Sequence, residues 1–227
     1  MTEVVDGARP TQRSQAITQR SQPITQRSQA ITQRSQAKAD RRAALLDAAA
    51  KLFADRGFNG VSIEDLGTAA GVSGPAVYRH FAGKQAVLAA LLVGVSRDLL
   101  DGGRAVVEES SDDAQALRSL IAFHADFALG NPDVIRVQDR DLDSLAEEDR
   151  REVRSLQRRY IEQWTAVLAR LHPSLDATVL RVRVQATFGL INSTPHSART
   201  HGRAIDTATA RPVLEAMAWA GLNAPVR

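Results

Sequence analysis

Apolar residues recur at helical spacing along most of the chain, and the breaks between them mark the elements. Leu45, Ala49, Leu52 and Phe53 share one helical face, and that stretch closes at Arg56-Gly57. Ser62 opens a second helix with Asp65 as its capping-box partner; Ile63, Leu66 and Ala70 form the buried face, and Gly71 stops it. Ser73 caps a third, short helix ending near Phe81, and Pro75, tolerable only in a first turn, places its start at Gly74. A fourth helix runs from Lys84 to about Leu100, striped by Leu88, Leu91, Leu92, Val95 and Leu99.

The rest of the pattern is also helical. Ala114–Leu129 stops before Asn131-Pro132. A longer stretch, Glu147 to Leu171, repeats Val153, Leu156, Tyr160, Trp164, Val167 and Leu171 at steps of three and four. Asp176–Ile191 is apolar on more than one face, and a last helix over about Thr207–Leu222 carries Val213, Leu214, Met217 and Trp219. No strand pattern stands out. The fold class is all-α.

Residues 11–38 are different: TQRSQAI, TQRSQPI, TQRSQAI, TQRSQAK, with Arg13, Arg20, Arg27 and Arg34 in register. A seven-residue period suggests a coiled coil, but each unit offers only one adjacent apolar pair, and Pro23 interrupts the second. The segment reads as a polar, disordered, basic arm. It is either a weak electrostatic contact to nucleic acid or a duplicated passenger.

Composition bounds what the helices can do. The chain has 227 residues, 44% of them apolar, enough for a sizeable core. With no cysteine, thiolate chemistry and cysteine–zinc sites are excluded. No window is long and apolar enough for a membrane span, which points to a soluble, cytoplasmic protein. Residues 1–40 hold six basic and three acidic side chains; the remainder holds 23 of each, so the net +3 belongs to the arm. Any anion-binding surface on the folded part is therefore local. There is no zinc-protease pair of histidines, no phosphate-binding glycine loop and no serine nucleophile elbow. Neither a catalytic residue, nor a metal site, nor a cofactor is expected.

The stretch Ser62–Phe81 has the anatomy of a helix-turn-helix: a capped helix, a tight Gly-Val-Ser turn, then a short second helix. Val72 and Val77 face Leu66 and Ala70. The outward face is Gly74, Pro75, Ala76, Tyr78, Arg79 and His80, placed to enter a major groove. Phe81 reads as core.

From about Arg41 to Leu92 the chain resembles the N-terminal domain of the TetR family of bacterial transcriptional regulators. The matching stretches are Phe53-Ala54-Asp55-Arg56-Gly57-Phe58, Val61–Leu66, Ala69–Ser73, and Val77–Phe81 followed by Lys84. The resemblance implies backbone contacts from Tyr78, His80 and Lys84, a phosphate hydrogen bond from Ser62, and a reading surface made by Ser73, Gly74, Ala76 and Arg79. Gly74-Pro75 stands where the family often has a basic or polar residue followed by glycine. The implied layout is an arm over 1–38, a DNA-binding domain over 39–84, and a ligand-binding and dimerisation domain over 85–227. Implied partners are a near-palindromic double-stranded operator, a small-molecule effector and a second copy of the chain, with repression the usual mode. An activator and a general architectural DNA binder stay open.

For the effector, Phe123, His124 and Phe127 share one helix face, Tyr160 and Trp164 another, with Phe188 and Asn192 on the next helix. Arg136 and Arg140 stand beside Asp139 and Asp141, which favour ion pairs over an acidic ligand. The run Ile191-Asn192-Ser193-Thr194-Pro195-His196 is similar to regulators of lipid and acyl-CoA metabolism.

Overall fold

The computed structural model describes residues 35–197, 199–200, 203–204 and 206–225. The arm up to Arg34 lies outside the described residues. Residues 35–38, which the sequence reading gives to the arm, are helical, as are 39–44. They are all exposed, and the Gln36 amide donates to Asp40 Oδ1 at 2.8 Å, one helical turn on. Contacts divide the chain between Ala44 and Leu45, and everything below concerns the second unit.

That unit begins with helical residues 45–56 (α1). It continues with α2 (Ile63–Ala69), α3 (Gly74–Val77), α4 (Lys84–Glu108), α5 (Asp113–Gly130), α6 (Pro132–Asp141), α7 (Glu147–Leu171), α8 (Ala177–Ser197) and α9 (Thr207–Leu222). Between α8 and α9, Arg199–Thr200 pairs antiparallel with Arg203–Ala204, a two-residue ladder that the polar sequence there does not announce.

The predicted stops of α1 and α2 and the Ser62 cap are in place, whereas Ser73 takes the N-cap position of α3 without a capping bond from its side chain. Gly57 closes α1 at φ +79° and Gly71 closes α2 at φ +68°, the left-handed region that glycine enters freely. Ser62 and Asp65 form the full capping box. α3 is shorter than expected. Regular helix ends at Val77, and Arg79 and His80 follow in i,i+3 turns on Ala76 and Val77. Four residues cannot hold a helix alone. Complete burial of Val77 against the core that contains Leu66 fixes α3 instead, a burial worth roughly 1.5–3 kcal/mol.

α4 is longer than expected, running through Gly102-Gly103 to Glu108. A Cβ on Gly102 would stand 2.4 Å from the Phe123 ring, and one on Gly103 2.6 Å from the Tyr160 ring. Close packing of α4 on α5 and α7 explains why glycines sit inside a helix they would otherwise weaken. α6 escaped the sequence reading altogether; Pro132 starts it, and Val134, Ile135 and Val137 bury one side. The polar run from Asn192 lies inside α8 and does not end it. Trp164 of α7 is fully buried against Phe188 of α8 and His124 of α5, while α5 and α8 carry α9. No helix among the described residues is long and apolar enough to cross a membrane.

Candidate nucleic-acid interface and ligand cavity

The helix-turn-helix surface is built by two tight approaches. Gly67 in α2 lies under the turn. A Cβ there would meet the Val72 carbonyl oxygen at 2.9 Å and the Gly74 nitrogen at 3.0 Å, so only glycine lets α3 come this close. The sequence reading passed over Gly67, although a glycine inside a helix, costing about 1 kcal/mol against alanine, is itself a signal of close approach. On the outward side Tyr78 is 58% exposed and Arg79 is exposed, while Phe81 and Val77 are buried, as expected.

The other expected contact residues divide into free and committed groups. Ser73 stands at the N-cap of α3 with an exposed hydroxyl that makes no capping bond. Ser62 is committed: its Oγ accepts the Asp65 N–H at 3.0 Å and donates to Asp65 Oδ2 at 2.7 Å. These bonds, from the Ser62 backbone first and then its side chain, with Arg56 adding attraction, hold the Asp65 carboxyl below its ordinary range. Any phosphate contact by Ser62 must exchange one of them.

Lys84 is committed too. Its ammonium donates to the Phe58 and Val61 carbonyls, both at 2.8 Å, and sits 4.4 Å from the centre of the Phe58 ring. Lys84 pins the start of α4 to the loop before α2, and one of its three N–H groups stays free for a phosphate. His80 is half-buried with Nδ1 shielded and unpartnered. Pro75 removes one backbone donor from the first turn of α3, so Gly74 and Ala76 offer shape more than hydrogen bonds.

Behind this surface, a cavity of about 190 Å³ is lined by Ser96 and Leu99 of α4, His124 and Phe127 of α5, Val134, Ile135 and Gln138 of α6, Gln157, Tyr160 and Ile161 of α7, and Phe188 and Asn192 of α8. Five of the seven expected pocket residues are here. Phe123 instead packs over Gly102, and Trp164 lies behind the cavity, edge-on to Phe188 at 5.0 Å. The residues missed are Ser96 and Leu99 of α4, three of α6, and Gln157 and Ile161 of α7, faces that single-helix patterns do not bring together.

The polar corner of the cavity is ordered by His124. Its Nε2 lies 3.0 Å from Asn192 Oδ1, so Nε2 carries the proton and donates, and Nδ1 accepts the Tyr160 hydroxyl at 3.4 Å. The ring stacks on Phe188 at 4.5 Å. Asn192, its oxygen engaged, is left with amide N–H donors for a bound molecule. Burial pushes the Tyr160 hydroxyl well above its ordinary range, opposed in part by Trp164. No charged side chain lines the space, which suits an apolar ligand with an uncharged hydrogen-bond acceptor.

Burial also drops His124 to about 4, against which the Asn192 bond works only in part. Above 6.5 the ring is neutral whether the chain is folded or not. As pH falls from 6.5 towards 4, the unfolded chain takes up a proton that the folded one refuses, so stability declines by about 3 kcal/mol in all. Below that range both states are protonated and the loss levels off. Urea titrations of wild type and His124→Gln across this range should show the slope only in the wild type; parallel curves would refute it.

The cavity is linked to the end of α1, beside the helix-turn-helix, through α6. Arg140, two residues past the cavity-lining Gln138, donates from Nη1 to the Ala54 carbonyl at 3.2 Å and from Nη2 to the Phe53 carbonyl, at the end of α1. The buried Asp141 carboxylate holds its guanidinium at 3.1 Å. The expected ion pair is present, and Arg140 faces α1, away from any ligand. Gln85 of α4 adds a bond to the Ser144 carbonyl at 2.8 Å.

Two family models match the chain and together cover more than two thirds of it. They are "Bacterial regulatory proteins, tetR family" over residues 45–91 and "Tetracyclin repressor-like, C-terminal domain" over residues 110–217. An HTH-type transcriptional activator, FasR of Mycolicibacterium smegmatis, is 34% identical over 80 residues, 35% of this chain and 36% of the relative. The match thus spans little more than a third of that protein's length. A TetR-family regulator from Bordetella parapertussis superimposes with a TM-score of 0.70 at 25% identity, over 80% of this chain and 94% of the other. The transcriptional regulator FadR of Bacillus subtilis, solved in complex with stearoyl-CoA, shares the fold with a TM-score of 0.62 at 16% identity, over 79% and 98%.

Proposed function

Because the chain belongs to the TetR family of bacterial transcriptional regulators, we propose that it is a ligand-responsive repressor that binds a near-palindromic operator as a homodimer. The observation that carries the ligand response is α6. One short helix lines the cavity with Val134, Ile135 and Gln138 and grips the end of α1 with Arg140. A molecule that displaces α6 must change how α1, and the helix-turn-helix packed on it, is held. Operator binding falls to Tyr78, Arg79, His80 and Ser73, with Lys84 and Ser62 as positioning residues that also keep the frame rigid. The family and the relatives it matches are regulators of transcription, not enzymes.

For the ligand, the uncharged, mostly apolar lining and the Asn192 donors fit an acyl chain with a carbonyl at one end. The stearoyl-CoA bound to the Bacillus subtilis regulator supports an acyl-CoA-like class. The cavity is smaller than the roughly 300–1,000 Å³ of drug-sized sites, so a short chain fills it. Footprinting of the DNA flanking the gene should reveal a protected two-fold sequence, bound ~10³-fold or more above random DNA. Short-chain acyl-CoA should release it. Tight binding without any protected sequence would instead identify an architectural DNA binder.

The dimer reading rests on the exposed apolar side chains of the last two helices: Val182 on α8, Val213 and Met217 on α9. Met217→Asp should convert the dimer to a monomer in sedimentation analysis and weaken operator binding by about 100-fold, since the two half-sites lose their linkage. A dimer that survives that substitution and Val182→Glu would place the interface elsewhere. Activation is the second reading, supported by the Mycolicibacterium relative, a transcriptional activator. Transcription in vitro from the footprinted promoter separates the two by sign.

A further inference from the structure

Resting on the DNA-binding reading above, we propose that Glu64 reads sequence by accepting a hydrogen bond from the N4 amine of a cytosine in each half-site. The first turn of α3 brings no polar side chain of its own to a groove. Gly74 has none, Pro75 lacks even the backbone N–H, Ala76 ends in a methyl group, and Val77 is buried. Glu64 occupies that gap from the neighbouring helix. Its Oε1, Cγ and Cα lie 3.5, 3.6 and 3.8 Å from the place where a Cβ on Gly74 would stand, so the side chain lies against the start of α3.

Among the described residues no hydrogen bond or ion pair holds this carboxylate. Asp65 closes the capping box, Asp65 also takes the Arg56 ion pair, and Glu64 is exposed with no ion pair among the described residues. A carboxylate at a DNA-facing surface repels phosphate, so it lowers affinity for every sequence unless a base repays it. An ionised carboxylate only accepts hydrogen bonds. In the major groove cytosine offers a donor with no acceptor beside it, adenine offers one next to its N7 acceptor, and guanine and thymine turn only acceptors towards the carboxylate. Glu64 therefore selects for cytosine and against the acceptor edges, and it complements Arg79, whose guanidinium suits guanine.

The test uses the full chain and the operator defined by footprinting. Failure to find a specific operator removes the DNA-binding reading itself; the present inference is judged only on one that is found. Every base pair of the half-site is varied in turn and binding is followed by fluorescence anisotropy for wild type, Glu64→Ala, Glu64→Gln and Arg79→Ala. The wild type should penalise loss of one C·G pair by roughly 5- to 150-fold. Glu64→Ala should flatten that position alone, Glu64→Gln should turn its preference towards adenine, and Arg79→Ala should flatten a different position. A uniform gain in affinity for all sequences in Glu64→Ala would overturn the inference, leaving only phosphate repulsion. An unchanged base profile with a lower melting temperature would also overturn it, leaving only a charge that suits the start of α2.

Discussion

Gly67→Ala should abolish specific operator binding while leaving the helices behind the cavity folded. The added methyl group would stand 2.9 Å from the Val72 carbonyl oxygen, 3.0 Å from the Gly74 nitrogen and 3.1 Å from the Ser73 carbonyl carbon. All three are backbone atoms in a turn already fixed by the Val72 N–H bond to the Gly67 carbonyl at 2.8 Å, so no side chain can rotate away. The strain reaches or passes the upper end of the roughly 1–3 kcal/mol typical of overpacking. It is relieved by swinging α3 off α2, which misplaces Tyr78 and Arg79. Anisotropy should show at least ~100-fold weaker operator binding, since about 3 kcal/mol is two decades. Circular dichroism should show nearly native helix content. Near-native affinity in this variant would mean that α3 is not held by its approach to Gly67. Gly71→Ala, strained by its φ of +68° but with open space around its Cβ position, should cost much less, about 1 kcal/mol.

Arg140→Met should cost about 3 kcal/mol and disconnect ligand from DNA. Asp141 is buried, and its partner is the half-exposed Arg140 guanidinium. Removing one member of such a pair costs about 3–5 kcal/mol because the other charge is stranded, and the partial exposure of Arg140 puts this case at the low end. The Phe53 and Ala54 carbonyls lose their donors as well. Chemical denaturation measures the first effect. Adding Asp141→Asn to Arg140→Met should recover part of the loss, because the stranded charge is gone. The second effect is read in the double variant: operator binding persists, but ligand that still occupies the cavity no longer releases DNA. Full release in that variant would show that the signal does not pass through Arg140.

What the sequence made legible is what local chemistry decides. Ser62 and Asp65 were recognisable as a capping box because the spacing alone satisfies two backbone donors. Tyr78 and Phe81, three apart, would share a face of a regular helix; the tighter turns after Val77 are what leave Tyr78 outside and Phe81 buried. The cavity was half legible. His124, Phe127, Tyr160, Phe188 and Asn192 announced themselves as aromatic or polar residues on apolar faces, but Trp164 has the same signature and is simply core. What separates them is which helix stands opposite, and no single-helix pattern contains that. The same gap hid α6, whose apolar side is only Val134, Ile135 and Val137 set among charged residues, and hid the reason for Gly102-Gly103, which exists only once the Phe123 and Tyr160 rings are in place. Lys84 was recognisable as a cation at the right position, yet its main partners are carbonyls 23 and 26 residues earlier in the chain.

The continuity of α4 turns small displacements into geometry on the scale of DNA. Lys84 starts this helix and Ser96 lines the cavity, separated by a rod of about 18 Å at 1.5 Å per residue. If the rod pivots near Ser96, a tilt of about a tenth of a radian carries the Lys84 end sideways by about 2 Å. In a two-fold dimer both ends move, in opposite senses, so the separation of the two reading helices shifts by up to about 4 Å against a half-site spacing of about 34–36 Å. Were a molecule in the cavity of about 190 Å³ to tilt α4 in this way, the stretch from Ser96 to Lys84 would be the long arm of a lever, and the helical pitch of an operator the scale against which its travel is measured.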